Sequence, residues 1–213
     1  MNIKSHLLAT ALLLASLAIP NVYAQQQQQQ PCHWWQQLLR NCGEQPRVEG
    51  LPDDAPRSGP VITVDVSTNT IYLFRDAQLV RKSAAATGSG KRLETDEDVW
   101  EFYTPRGHMK VKGKIKDPVW RKPDWAFVEA GDKIPPADSP KRLVKGKLGK
   151  YALNLGDGIL IHGTDDPDSI GKYASHGCIR VPADMLETLW KNVPVGTDVF
   201  VFESQPLKTA KGQ

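Results

Sequence analysis

The sequence predicts a mainly β domain, a sandwich or a barrel of short strands, from about residue 60 onward. Val61–Val66 and Ile71–Phe74 are rich in β-branched and aromatic residues, which favour strands. Ser67–Thr70 between them is typical of a turn, and a second turn precedes a third strand that begins at Leu79. Turns that recur about every eight to twelve residues favour a sandwich or barrel over alternating strands and helices.

The first 24 residues have the pattern of a signal peptide. Lys4 supplies a positive charge, Leu7–Ile19 is an uncharged apolar run, and the segment ends at Ala24 with the small residues that a signal peptidase reads. The run is short for a membrane span, although a retained N-terminal anchor remains an alternative. We therefore expect an exported protein of the periplasm or cell envelope, with no membrane span after cleavage.

Residues 25–59 are expected to form an N-terminal segment and linker ahead of the main domain. Residues 25–30 are all glutamine, a polar low-complexity tract. Cys32 and Cys42 follow in a stretch whose apolar residues have helical spacing, and these cysteines are candidates for a disulfide that closes a small loop. Pro, Gly, Asp and Ser are frequent from residue 48, which is typical of a linker.

Residues 91–145 are less regular, and we expect them to cap one end of the domain. The basic run Lys110–Lys116 alternates with small and apolar residues. It is either the solvated face of an edge strand or a surface that attracts substrate carboxylates. Trp120 and Trp125 lie in a proline-punctuated stretch, where they either line a cleft or anchor a loop without secondary structure of its own.

The C-terminal part returns to regular structure. Gly146–Ile161 is strand-like, and Val199–Phe202 is expected to be the final strand. Pro182–Asn192 has the spacing of an amphipathic helix, whose apolar face would carry Met185, Leu186, Leu189 and Trp190. The main domain should therefore cover residues 60–203, followed by a polar tail over residues 204–213.

The candidate catalytic or metal-binding side chains lie in one stretch, which contains His162, His176 and Cys178. If Cys32 and Cys42 pair, Cys178 is left over, and an odd cysteine in an exported chain suggests a reactive thiol or an intermolecular bond. A neighbouring histidine can take the proton of a thiol and activate it as a nucleophile. The spacing does not choose between the two histidines as the base.

Two other interpretations of these residues remain open. Two histidines and one cysteine could hold a catalytic zinc ion whose fourth ligand is water. The same residues could also be ordinary core or loop residues. The net charge of +3 gives no support for a nucleic-acid partner.

The sequence His162–Thr164 (HGT), followed after a gap by Ser175–Arg180 (SHGCIR), resembles the active-site signature of the L,D-transpeptidase catalytic domain, the YkuD-like family. The resemblance covers about residues 60–203. Other similar landmarks are Val64–Val66, Ile71–Phe74, Thr104–Gly107 and Gly149–Leu153. The long segment 91–145 departs from a minimal domain of this family.

The resemblance implies a mostly antiparallel β-sandwich with a short helix and a capping loop. It implies Cys178 as the nucleophile and His162 as the base, with the backbone carbonyl of Gly163 orienting the imidazole. No metal and no organic cofactor are expected.

The remaining motif residues are implied to support the site. Ser175, His176 and Gly177 would shape the oxyanion and donor subsite, and Arg180 would support the site or a substrate carboxylate. The implied substrate is a peptidoglycan stem peptide, whose acyl group is transferred to an amine such as another stem, an envelope lipoprotein or a D-amino acid. The alternatives are an L,D-carboxypeptidase or crosslink hydrolase with the same Cys/His pair, and a non-catalytic envelope-binding module.

Overall fold

The computed structural model describes residues 48–205 of the chain. The predicted signal peptide, the candidate disulfide Cys32–Cys42 and most of the expected polar tail lie outside the described residues. Between residues 48 and 205, no helix has the length and apolar character needed to cross a membrane.

The first of two main sheets has five strands in the order β3-β2-β1-β15-β7. These strands are β1 (Pro60–Asp65), β2 (Thr70–Arg75), β3 (Gln78–Ala84), β7 (Gly107–Lys110) and β15 (Asp198–Phe202). β1 and β15 pair in parallel, whereas the other neighbours are antiparallel. The strands predicted over Val61–Val66, Ile71–Phe74 and Val199–Phe202 are therefore present.

This sheet is covered on both faces. Ile62 and Val64 of β1 point into the main core, while Val61 contacts a second cluster on the opposite face. Leu51 and Ala55, from the stretch expected to be a linker, are buried in that second cluster. Residues 48–59 are thus packed against the domain, because the outer face of β1 and β2 is apolar and needs a cover.

The second main sheet has four strands in the order β14-β12-β11-β8. They are β8 (Gly113–Lys116), β11 (Tyr151–Gly156), β12 (Ile159–His162) and β14 (Ile179–Arg180). Residues of both sheets and of helix α2 (Ala183–Asn192) share one buried cluster. The expected sandwich with a short helix is confirmed, and Met185, Leu186 and Leu189 of α2 are buried as predicted.

The register of the second sheet positions the functional residues. β12 and β14 pair in parallel, with Ile161 opposite Ile179 and His162 opposite Arg180. Both isoleucines are fully buried. Because side chains alternate across a strand, His162 and Arg180 project from the other face of the sheet.

The basic run Lys110–Lys116 is not one edge strand. β7 ends at Lys110, the fully buried Val111 crosses the core, and β8 begins at Gly113. β7 and β8 are edge strands of different sheets. Single-sequence alternation does not reveal such a crossing, because each half has the same period of two.

The capping segment has secondary structure of its own, contrary to the expectation of an irregular loop. It contains a hairpin of β5 (Arg92–Glu94) and β6 (Val99–Glu101), a pair of β9 (Val119–Arg121) and β10 (Leu143–Lys145), and helix α1 (Asp124–Val128). The remaining short strands are β4 (Thr87–Gly88) and β13 (Tyr173–Ser175), which pair with each other.

Arg142 holds the turns of this cap together. Its guanidinium donates to the carbonyls of Lys122, Pro135 and Pro136, and it pairs with Asp124 at 2.6 Å. The charged group also lies 5.3 Å from the centre of the Phe127 ring. A planar group with five donors can bind several carbonyls at once, which fixes α1 relative to the surrounding loop.

Lys114 has a structural contact that the sequence did not predict. Its Nζ donates to the carbonyls of Trp190 and Val193 at the C-terminal end of α2 and lies 4.6 Å from the centre of the Trp190 ring. A cation at this end of a helix interacts favourably with the unpaired carbonyls and the helix dipole.

We predict that Lys114→Met lowers the stability of the domain by about 1–2 kcal/mol, because the carbonyls lose a charged donor. Thermal unfolding should show a decrease in Tm of about 3–6 °C. Lys116→Met is the matched control, since Lys116 lies exposed on the same strand. Equal Tm values for the two variants would show that the contact with α2 does not contribute.

Candidate active site

A cleft of about 860 Å³ lies between the cap and the outer face of the second main sheet. Five of the predicted site residues line it: His162, Ser175, His176, Cys178 and Arg180. Gly163 and Gly177 do not line the cleft. Their backbone atoms form hydrogen bonds with His162 and Ser175, which do. The cap contributes wall residues that include Trp120, Trp125 and Glu129.

His162, the last residue of β12, is 5% exposed. Its Nδ1 lies 2.5 Å from the carbonyl oxygen of Gly163. Since a carbonyl only accepts, the ring hydrogen is on Nδ1 and Nε2 carries a lone pair. Nε2 makes no hydrogen bond to the described residues. Every side-chain nitrogen that is fully buried within residues 48–205 does have a hydrogen-bond partner, so Nε2 is not fully buried. Since His162 lines the cleft, Nε2 is open to it.

Burial lowers the pKa of His162 to about 4. The hydrogen bond to Gly163 opposes this shift, and the Arg180 cation adds to it. The imidazole is therefore neutral at pH 7.

Gly163 is held in place by the loop that precedes β11. Its N–H donates to the carbonyl of Leu148 at 2.9 Å. Gly149 packs against it so closely that a Cβ on Gly149 would lie 2.9 Å from the Cα of Gly163. The position of the carbonyl that binds His162 consequently depends on two glycines in contact.

Cys178 lies immediately before β14 and is half-buried. Its Sγ donates weakly to the carbonyl of Gly158 at 3.5 Å. Burial raises the pKa of the thiol, while the N–H of Leu160 and the charge of Arg180 act in the opposite direction. The resting cleft thus contains a neutral thiol and a neutral imidazole.

Ser175 braces the turn that presents Cys178. Its hydroxyl donates to the carbonyl of Cys178 at 2.5 Å and accepts from the N–H of Gly177 at 3.1 Å. Gly177 has a φ of 120°, a conformation that favours glycine. The Gly177 N–H is therefore occupied, whereas the N–H of Cys178 has no partner among the described residues.

His176 connects the motif to the cap. Its ring stacks on Trp125 with a centroid distance of 4.0 Å, and its Nε2 lies 2.9 Å from a carboxylate oxygen of Glu129. Sequence reasoning missed Glu129, because a lone glutamate 47 residues from the motif carries no local signal. It left open whether Trp125 lines a cleft, and the structure places it there.

Arg180 supplies positive charge to the cleft. In the part of the chain that the structure describes, no carboxylate lies within ion-pair distance of its guanidinium. Its backbone is fixed by two hydrogen bonds with Ala86, at 2.8 and 2.9 Å. An unpaired, half-buried guanidinium is suited to a carboxylate ligand.

His162, His176 and Cys178 do not form a metal site in the part of the chain that the structure describes. Within residues 48–205, no three His, Cys, Asp or Glu side chains come together in an arrangement that could hold a metal ion. His176 makes its contacts with Glu129 and two aromatic rings instead.

We predict that alkylation of Cys178 by iodoacetamide accelerates with pH to beyond pH 9, since the pKa of this thiol is raised above its ordinary value of 9.0. Labelling should be located by mass spectrometry. Arg180→Met should move the profile to still higher pH, because a cation that favours the thiolate is lost. A labelling rate that reaches its plateau below pH 7 would instead indicate a preformed thiolate.

We predict that Gly149→Ala disturbs the site, whereas Gly146→Ala in the same loop does not. Both glycines have positive φ values, 72° and 81°, so each alanine costs about 1–2 kcal/mol in backbone strain. Only the new methyl at position 149 would press on Gly163, since nothing lies within 4 Å of one at position 146. Catalytic activity at equal folded fraction separates the two effects, and equal activities would contradict the role assigned to Gly149.

Comparisons with known proteins address the fold and the family. Residues 59–201 match the family model YkuD, the L,D-transpeptidase catalytic domain. YqjB of Bacillus subtilis (strain 168), which carries an L,D-transpeptidase name, is 30% identical over 161 residues, 75% of each chain. ErfK/SrfK of Escherichia coli (strain K12), named likewise, is 36% identical over 168 residues, 74% of this chain and 47% of that protein.

A solved structure shares the fold. The L,D-transpeptidase from Xylanimonas cellulosilytica DSM 15894 superposes with a TM-score of 0.52 at 23% identity, over 71% of this chain and 64% of that one. The family match covers most of the chain, and YqjB is similar over three quarters of it. This chain therefore belongs to the L,D-transpeptidase catalytic domain family.

Proposed function

We propose that this protein is a cysteine-dependent L,D-transpeptidase that acts on peptidoglycan stem peptides, with Cys178 as nucleophile and His162 as base. The observation that carries the proposal is the hydrogen bond from His162 Nδ1 to the Gly163 carbonyl. It leaves the Nε2 lone pair open to the cleft that also contains the thiol of Cys178. A base with a fixed tautomer in the same cleft as a thiol is an arrangement suited to nucleophilic catalysis.

Acylation would begin with proton transfer from Cys178 to His162 Nε2. The sulfur attacks the carbonyl carbon at the L-centre of the diamino acid in a donor tetrapeptide. The N–H of Cys178 would donate to the developing oxyanion, and removal of one such donor typically costs about 3–4 kcal/mol. The C–N bond then breaks, and His162 protonates the departing D-Ala amine.

Arg180 is the group that we assign to the donor carboxylate. The terminal D-Ala of a tetrapeptide carries a free carboxylate, and the guanidinium has no carboxylate partner within residues 48–205. Binding this carboxylate would neutralise a charge that lowers the pKa of His162. Substrate binding would therefore make the imidazole a stronger base.

The amine acceptor completes the proposed reaction. Another stem peptide, an envelope lipoprotein lysine and a free D-amino acid all offer an amine that could resolve the acyl-enzyme. Water in the same position would give an L,D-carboxypeptidase or a crosslink hydrolase. The acceptor would enter the same cleft of about 860 Å³ that binds the donor.

We further propose that the protein works outside the cytoplasm. The pattern of residues 1–24 is that of a signal peptide, and peptidoglycan lies in the cell envelope. Pairing of Cys32 with Cys42 would fit an oxidising compartment and would leave Cys178 as the one free thiol.

We predict that Cys178→Ala abolishes D-Ala release from a purified tetrapeptide stem, with a loss of at least about 10³-fold, because no covalent intermediate can form. The wild-type protein should gain the mass of the acyl group on Cys178. Adding a D-amino acid should yield the exchanged peptide, whereas a tripeptide alone would identify the hydrolase. Lys116→Met, on an exposed strand position, should retain full activity. Full D-Ala release by Cys178→Ala would refute the proposal.

A further inference from the structure

The two histidines of the cleft have different hydrogen-bond partners. His162 donates to a neutral carbonyl, whereas His176 Nε2 lies 2.9 Å from the carboxylate of Glu129. An ionised carboxylate only accepts, so the hydrogen of the neutral His176 ring is on Nε2. The lone pair of His176 is consequently on Nδ1.

Aromatic contacts fix the orientation of the His176 ring. Trp125 stacks on one side of it at a centroid distance of 4.0 Å and an interplanar angle of 17°. Phe102 meets it edge-on at 4.4 Å and 77°. A rotated ring would lose the bond to Glu129. Trp125 and Glu129 belong to the same helical turn, since the N–H of Glu129 donates to the carbonyl of Trp125 at 2.8 Å.

The other nitrogen of His176 is open to the cleft. Nδ1 makes no hydrogen bond within residues 48–205. Every fully buried side-chain nitrogen in this range has a hydrogen-bond partner, so Nδ1 is not fully buried. Solvent therefore reaches Nδ1. His176 lines the same cleft as Cys178 and is two residues from it in sequence. A ligand group that donates a hydrogen bond would find its acceptor here.

We propose that Glu129 is a positioning residue that keeps His176 in the Nε2–H tautomer, so that Nδ1 accepts a hydrogen bond and then the proton of the amine that resolves the acyl-enzyme. This inference rests on the proposed transpeptidase function. It gives the two histidines separate tasks: His162 serves acylation, and His176 serves the acceptor. It also replaces the expectation from resemblance that His176 shapes the oxyanion subsite, because an unprotonated Nδ1 cannot donate.

The proposed second step is aminolysis of the thioester. The neutral amine attacks the thioester carbon, a C–N bond forms, and the C–S bond breaks with its electron pair on the Cys178 sulfur. The amine proton moves to Nδ1 of His176, and the resulting imidazolium is paired with Glu129. That proton then passes to the thiolate, which restores the neutral thiol and the neutral imidazole.

The charges around His176 suit this task. Burial lowers the pKa of His176, and the cations Arg180 and Lys91 act in the same direction. Glu129 opposes them and favours the imidazolium. The ring is therefore unprotonated at neutral pH before the acceptor arrives, and the carboxylate stabilises the charge that appears when the proton is transferred.

The test compares Glu129→Gln, Glu129→Asp and the control Glu187→Gln in the full mature chain. Glu187 lies on α2, where it pairs with Lys191. A tetrapeptide stem serves as donor and D-methionine as acceptor. Intact mass and D-Ala release follow acylation, and the exchanged peptide follows aminolysis. Nitrogen-15 NMR of labelled protein reports the tautomer of His176.

We expect Glu129→Gln to slow aminolysis at least about tenfold more than acylation, because the loss of a positioned base typically costs about 10²–10⁴-fold. The His176 tautomer should change, and the pH profile of aminolysis should shift while that of acylation stays. Glu129→Asp should restore part of the aminolysis rate, and Glu187→Gln should match the wild type in both steps.

Three results would overturn the inference and leave the proposed function intact. If Glu129→Gln slows both steps by the same factor, Glu129 only anchors the cap. If the wild-type His176 is not the Nε2–H tautomer, the proposed acceptor atom is wrong. If the wild type transfers normally and Glu129→Gln changes neither step, Glu129 has no role in the reaction. A wild-type protein that forms no acyl-enzyme would refute the proposed function itself, and this inference with it.

Discussion

The parallel pairing of β12 with β14 is the constraint on which the site depends. Ile161 and Ile179 are opposite each other and fully buried, so the core locks the register. Alternation then places His162 and Arg180 on the cleft face. A slip of one residue would turn the imidazole into the core and an isoleucine into the cleft. Apolar packing on one face of the sheet thus fixes which side chains point into the cleft on the other face.

Backbone groups, more than charged side chains, prepare the proposed catalytic pair. The Gly163 carbonyl orients His162, and the Leu148 carbonyl holds Gly163. Burial, which the hydrogen bond to Gly163 only partly opposes at His162, leaves both the imidazole and the thiol neutral in the resting site. A protonated thiol is also less reactive toward oxidants than a thiolate, which would suit the export that we propose for this protein.

The opposite wall of the cleft has a different physical origin. Arg142 gathers carbonyls of the capping segment and fixes α1. This helix carries Trp125, and Glu129 follows its last residue; both contact His176, which belongs to the motif itself. The cap therefore contacts the turn that carries Cys178 through the imidazole ring of His176. A shift of the cap would move a residue that is two positions from Cys178.

The sequence by itself determined the β1–β2 hairpin, the apolar face of α2, and the candidates His162, His176 and Cys178, because local periodicity and motif spacing carry this information. It did not determine that Lys114 caps α2 or that Glu129 binds His176. These partners are 76 and 47 residues apart in sequence, and only the tertiary fold brings them together. The tautomer of His162 is set locally by the carbonyl of Gly163, whereas that of His176 depends on its tertiary partner Glu129, since a ring nitrogen's hydrogen depends on what its neighbour can accept.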